Sequence, residues 1–210
     1  MYVPRHFNLA RLHEQHDLID QYRFGTLVLS ATARFEAAHI PFILDREAGP
    51  LGTLRAHVAR ANPIWRLVEG SGEALAMFQG PTAYISPDWY ATAGQVPTWN
   101  YVAVHAYGVA RLMGDEELVS LLSDLSAAEE GKLAPKLPWH PAKLAPSELA
   151  SKLKAIVGMV LPIGRIEGKA KLSQNRSAAD VAGAVHGLRK RGDAQSVAVA
   201  ALMESAGAKS

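Results

Sequence analysis

The chain has no cysteine among its 210 residues. Disulfides, thiolate zinc sites, iron–sulfur clusters and cysteine nucleophiles are thereby excluded together. A membrane-spanning run is missing as well: the longest nearly apolar stretch, residues 155–163, is broken by Gly158 and Pro162 and falls far short of the ~20 residues a spanning helix needs. Nor does an apolar signal-peptide core follow Met1, so the sequence reads as cytoplasmic, with no membrane partner. Charge of one sign is scarce as a block. The 22 basic and 20 acidic residues leave a formal charge of +2, with the cations scattered along the chain. Nucleic-acid binders usually cluster theirs to neutralise phosphates, so DNA remains a partner without a clear motif.

The common cofactor motifs fail too. Gly70-Ser71-Gly72 opens like a dinucleotide loop, but Leu75 follows in a strand-like run where a helix N-terminus is needed. There is no Gly-x-x-x-x-Gly-Lys-Ser/Thr loop and no Gly-x-Ser-x-Gly elbow. His13-Glu14-Gln15-His16 spaces its histidines three apart where a zincin helix needs four, so it reads as a solvated helix face, and no metal site is expected. The sequon Asn175-Arg176-Ser177 carries no weight without export.

What is present is ordinary globular material, 49% apolar and 20% charged, enough for one domain over residues 1–210 without staples. Asn8 can cap a first helix with Leu9, Leu12, Ile19 and Tyr22 on one face and Gly25 at its end. Alternation then predicts a strand over 26–33 with Leu27, Leu29 and Ala31 on one side, and a partner over 37–44 that bulges or lies at an edge near Pro41. Further strands are predicted over 51–59, 73–79, 82–86 and 99–110, with Gly80-Pro81 turning between the second and third of these runs. A surface helix covers 116–125. Four of the twelve prolines fall in 126–146, which reads as an irregular connection. A short helix starts at Ser147, a last hairpin pairs 159–167 with 169–173 about Gly168, and two helices close the chain over 177–206, the first opened by a capping box from Ser177 to Asp180. Strands grouped together, with helices before and after, indicate an antiparallel α+β barrel.

Several dense strings are required by no propensity: Met1-Tyr2-Val3-Pro4-Arg5-His6-Phe7, Ala38-His39-Ile40-Pro41-Phe42, His57-Val58-Ala59-Arg60-Ala61-Asn62-Pro63, Gln79-Gly80-Pro81-Thr82-Ala83-Tyr84-Ile85-Ser86-Pro87, Pro97-Thr98-Trp99-Asn100-Tyr101 and Lys171-Leu172-Ser173-Gln174-Asn175-Arg176. In this order they resemble the PaiB family, over nearly the whole chain to about Leu188. The resemblance implies a Greek-key, FMN-binding split β-barrel related to pyridoxamine-phosphate oxidase and the flavin reductases. It also implies a homodimer with FMN at the interface, acting as a negative transcriptional regulator. The fold relatives suggest an alternative, a flavin-dependent oxidoreductase or flavin reductase.

FMN asks for cations around a dianionic phosphate, a flat aromatic slot and partners along its pyrimidine edge. On strand 51–59, Arg55, His57 and Ala59 share a face, and with Arg60 and Asn62 in the following turn they form a candidate phosphate end. An exposed barrel strand would look the same. His39 and Pro41 lie on the strand that, in a split barrel, runs beside the flavin ring, although His39 alone reads equally as a structural histidine. Trp99 and Tyr101 share one face with Asn100 opposite, offering an aromatic wall and a donor, or simply core or dimer packing. Lys171, Ser173, Gln174, Asn175 and Arg176 end the last strand before a capped helix and are expected to reach the flavin of the other subunit. Plain capping with a solvated Lys/Arg pair is the other reading. No catalytic acid or base declares itself: His39, His57 and His105 could titrate near neutral pH, yet none pairs with a carboxylate in a readable motif.

Overall fold

The computed structural model describes residues 1–31 and 34–207. In chain order the elements are α1 (Leu12–Gln21), β1 (Phe24–Ala31), β2 (Arg34–Asp45), β3 (Thr53–Ala59), β4 (Ala74–Ile85), β5 (Thr98–Gly108), β6 (Arg111–Leu112), α2 (Asp115–Glu130), α3 (Pro146–Leu153), β7 (Ile156–Pro162), β8 (Arg165–Lys171), α4 (Ala178–Arg191) and α5 (Ala194–Gly207). The strands form one sheet in the order β6-β7-β3-β2-β1-β4-β5-β8, and the α+β class is as the sequence indicates. Two compact units divide the chain: Ile19–Phe78 with His105–Ile166, and Met1–Leu18 with Gln79–Val104 and Glu167–Ser210.

In the unit of Ile19–Phe78 and His105–Ile166, β2 lies between β1 and β3, and β3 pairs β7, all antiparallel. The period-2 pattern sends Leu27, Leu29, Ile40, Phe42, Leu54, Ala56, Ala76 and Phe78 inward, all buried, with the Phe42 and Phe78 rings edge to face at 5.2 Å. The opposite face carries two kinds of surface. Around Ile43 it is covered by α2, whose Leu118, Leu121 and Leu125 are buried against it. Along β1, β2 and β4 the cross-strand rows His39–Thr26–Met77 and Ala37–Val28–Leu75 are half-buried or exposed, and Phe24 and Phe35 are 67% and 76% exposed.

Pro41 is neither at a sheet edge nor in a bulge. Phe42 N donates to Arg23 O, so the nitrogen of Pro41 faces the β3 side, and the β2–β3 ladder begins only at the pair Phe42–Ala56. The missing N–H therefore falls where β3 has left β2 and continues with β7 alone. The helix over 116–125 runs on to Glu130, because nothing from Ser126 to Glu130 breaks a helix; the irregular stretch shrinks accordingly and itself contains short 3-10 turns at Gly131–Leu133 and Pro141–Lys143.

Three further expectations are corrected. Residues 73–79 and 82–86 are one strand, β4, and Gly80-Pro81 is not a turn: buried positions are even up to Phe78 and odd from Pro81, a one-residue phase shift of the kind a bulge produces. The last hairpin does not exist, since β7 sits between β6 and β3, β8 ends the sheet beside β5, and Gly168 lies inside β8. Asn8 does not cap α1, which starts at Leu12, and Gly25 lies within β1. The reach of the first strand to Ala33 lies outside the described residues.

In the unit of Met1–Leu18, Gln79–Val104 and Glu167–Ser210, the chain before α1 is stitched to β8. Asn8 bridges Lys169, Leu9 N donates to Gly168 O at 3.1 Å, and Gln15 Nε2 donates to Leu9 O at 2.7 Å. His13 is exposed as expected, but His16 is buried at 4%, so the pair is not a solvated face. Among the described residues no group of three or more His, Cys, Asp or Glu is placed to hold a metal, and no helix is long and apolar enough to cross a membrane. Ser177 Oγ caps α4 by accepting from Asp180 N at 3.1 Å, and Gly192, with φ of 75°, ends it in the left-handed conformation. Gly183 and Gly187, one helical turn apart on α4, receive Trp89 so closely that a Cβ would stand 2.0 Å from its carbonyl oxygen and 2.3 Å from its ring respectively.

Candidate functional site

The residues expected to clamp phosphate from strand β3 are already committed. Arg55, 13% exposed, donates from Nε to Asp45 Oδ2 at 2.5 Å and from Nη2 to Asp45 Oδ1 at 2.8 Å and Asp124 Oδ2 at 2.7 Å, so two carboxylates face one guanidinium. Arg60 gives Nε to Lys154 O at 2.6 Å and Nη2 to Ile156 O at 3.0 Å, tying the end of β3 to the start of β7. Asn62 Oδ1 accepts from Ile64 N at 3.1 Å and caps the 3-10 turn Pro63–Leu67. His57 sits opposite Gly158 with its Nδ1 buried and without a partner, and burial holds its pKa below the ordinary 6.5. Ala59 ends the strand, exposed. Arg55, Arg60 and Asn62 are thus engaged within their own unit, whereas His57 and Ala59 are not.

His39 and Pro41 lie on the open face of β2. His39 is exposed, its Nδ1 2.9 Å from Thr26 Oγ1, and Pro41 is half-buried opposite Phe24.

The residues that end β8 do come together. Asn100 is fully buried and gives Nδ2 to Ser173 Oγ at 2.9 Å and Met203 Sδ at 3.3 Å, while its Oδ1 has no partner. It therefore fixes the strand end from behind and does not offer a donor outward. Ser173 accepts a φ of 66° to make the turn. Gln174 seals that turn at both ends of its amide, accepting from Leu172 N at 2.8 Å and donating to Ala170 O at 2.6 Å. Asn175 is exposed. Trp99 is 54% exposed and meets Tyr84 edge to face at 5.9 Å.

Three cations line this region without a counter-charge. Lys171 donates to Thr98 Oγ1, and Arg176 donates to Gln95 Oε1 with its guanidinium 5.1 Å from the Tyr90 ring centre. The third, Lys169, was not singled out from the sequence. It is 8% exposed, donates to Tyr2 O at 3.1 Å, and lies 5.6 and 5.3 Å from the Tyr2 and Tyr101 ring centres. Among the described residues no carboxylate pairs with any of the three. Burial, reinforced by the charges of Lys169 and Arg176, lowers the pKa of Lys171, while nearby Tyr101 acts against it. Lys169 was legible: it shares strand parity with Lys171, so both point to one face of β8. Arg176 also borders a cavity of about 340 Å³ whose other walls include Leu172, Val181 and Met203.

One buried and two half-buried cations beside aromatic rings suit a flat anion. Residues 1–165 match the family described as "Putative FMN-binding domain". Protease synthase and sporulation protein PAI 2 of Bacillus subtilis is 35% identical over 204 residues, which cover 97% of each chain. The chain belongs to the PaiB family. Among solved structures, the flavocytochrome Anf3 from Azotobacter vinelandii superposes with a TM-score of 0.57 at 15% identity, over 80% of this chain and 72% of that one. A FAD and heme binding protein from Mycobacterium smegmatis gives 0.57 at 19% identity, over 83% and 78%. At such identities the likeness speaks for the fold alone, and the fold of this PaiB-family chain is the antiparallel split β-barrel.

Proposed function

We propose that the protein binds FMN as a homodimer, with Lys169, Lys171 and Arg176 receiving the phosphate. The observation that carries the reading is the uncompensated cation set: holding one buried and two half-buried positive groups near one another, with no carboxylate paired to them among the described residues, is costly, and an anion relieves that cost. The family's description supplies the flavin; a phosphate dianion and a flat ring suit cations beside Tyr101 and Trp99. The flavin would bring electron- and hydride-transfer chemistry, and the chain's own part is to hold and orient it. A second copy is supported by the open face of β1, β2 and β4, whose exposed Phe24 and Phe35 have no cover within their own unit.

The role we infer is regulatory, as the resemblance to the PaiB family implies, and it runs through flavin binding in preference to direct reading of DNA. Of the basic run that ends α4, Arg189 is paired with Glu204 at 2.6 Å and Arg191 with Asp193 at 2.8 Å, which leaves Lys190 alone to meet a phosphate backbone. The cavity beside Arg176 favours one further reading, a flavin-dependent oxidoreductase acting on a small anionic molecule.

Titration of the purified protein with FMN, followed by quenching of flavin fluorescence, tests the site. Lys171→Glu and Arg176→Glu should each weaken binding about tenfold or more, the loss of one charge-assisted contact with a repulsion added. Equal affinity in both variants and the parent removes the assignment. Oxidation of a reduced nicotinamide in the presence of bound FMN would favour the oxidoreductase reading.

A further inference from the structure

Residues 91–97 join the 3-10 turn Pro87–Trp89 to β5, and all of them except Gln95 are exposed. Such a segment buries little apolar surface, so what holds it must be polar. Two clasps do so. Thr92 donates its N–H at 2.8 Å and its Oγ1 hydroxyl at 3.0 Å to Asp180, which is 3% exposed and whose pKa is lowered chiefly by that N–H. Three residues on, Gln95 Oε1 accepts from Arg176. Between the clasps stands Gly94, with φ of 73°, a backbone state that leaves a pivot available.

The clasps are unequal in kind. The first places two donors on a carboxylate. The second places a guanidinium, among other cations, on a neutral amide. A charged acceptor holds a guanidinium roughly twice as strongly as a neutral one does, so a phosphate arriving at Arg176 outcompetes Gln95, whereas nothing in that event weakens the Thr92–Asp180 clasp.

We propose that Gln95 is a gatekeeping residue of the anion site: it occupies Arg176 in the place of a phosphate monoester, and the arriving phosphate displaces it and frees residues 95–97 about Gly94 while Thr92 stays fastened to Asp180. The proposal rests on the reading that Arg176 receives the phosphate of FMN, and it adds that the site is closed by the chain itself when empty.

The absence of cysteine makes the test clean. Val96, 66% exposed, can be changed to Cys as the sole thiol and given a spin label. Adding FMN or inorganic phosphate should sharpen the label's spectrum, and Gln95→Ala should sharpen it with no ligand. Gln95→Ala should also bind FMN about three- to tenfold more tightly, the weight of one competing neutral hydrogen bond. FMN binding with an unmoved label and no gain in Gln95→Ala overturns the gate and leaves the flavin site standing. A label freed by inorganic phosphate in a protein that ignores FMN keeps the gate and removes the flavin. A label as rigid in Gln95→Ala as in the parent overturns the gate whatever binds.

Discussion

Arg55 and His57 stand two positions apart on one strand face, and their surroundings give them opposite electrostatic fates. Arg55 is matched by two carboxylates; His57 is half-buried with an orphaned Nδ1 and no charge partner. A histidine buried as the neutral ring pays when it is protonated, so its folded pKa lies below the ordinary 6.5. As the pH falls past that value the unfolded chain takes up the proton first. The contribution is therefore fully present above 6.5 and is lost as the pH drops from there through the folded value. Urea unfolding at about pH 7.5 and about pH 5 should show a fall in stability that is smaller in His57→Gln, and an identical fall in both proteins would show that another group is responsible. None of this was visible in the sequence. It displays that Arg55 and His57 share a face, but Asp124 meets Arg55 from 69 residues away.

At the scale of elements, local pattern was read well where a single face is buried and poorly where backbone pairing is long-range. Alternation located β1, β2, β3 and β5 to within a few residues, because period-2 burial is written into Leu27, Leu29, Leu54, Ala56 and Val58. It misread β4 as two strands, since Gly80-Pro81 is turn chemistry that the strand absorbs by shifting phase. It joined β7 and β8 as a hairpin, since adjacency in sequence is the only evidence a chain offers about partners. Helix α4 shows how packing overrides propensity. Glycine to alanine inside a helix normally stabilises by about 1 kcal/mol. At Gly183 the added Cβ would stand 2.0 Å from the Trp89 carbonyl oxygen, backbone that cannot step aside cheaply. Overpacking costs of about 1–3 kcal/mol then reverse the sign, so Gly183→Ala should lower the thermal midpoint. A raised midpoint would mean that Trp89 is not seated there.

For the whole molecule, the proposed homodimer draws its support from the open face of β1, β2 and β4. Phe35, 76% exposed, lies one row beyond Ala37 and Val28, and charge placed there should be intolerable in a shared interface. Phe35→Glu should weaken self-association roughly thirtyfold or more, read by light scattering across a dilution series, if the residue anchors the interface. A parent protein that is monomeric throughout the series removes the homodimer.

The sequence by itself determined the α+β class and the family, because periodicity, turn chemistry and dense side-chain strings are local properties. Tertiary structure decided which cations are free. Arg55 and Arg60 are neutralised or held by partners far along the chain, while among the described residues Lys169, Lys171 and Arg176 meet hydroxyl, carbonyl, amide and ring but no carboxylate. The charge of a residue is fixed by its identity; whether that charge is available is fixed by what folding brings within hydrogen-bonding distance of it.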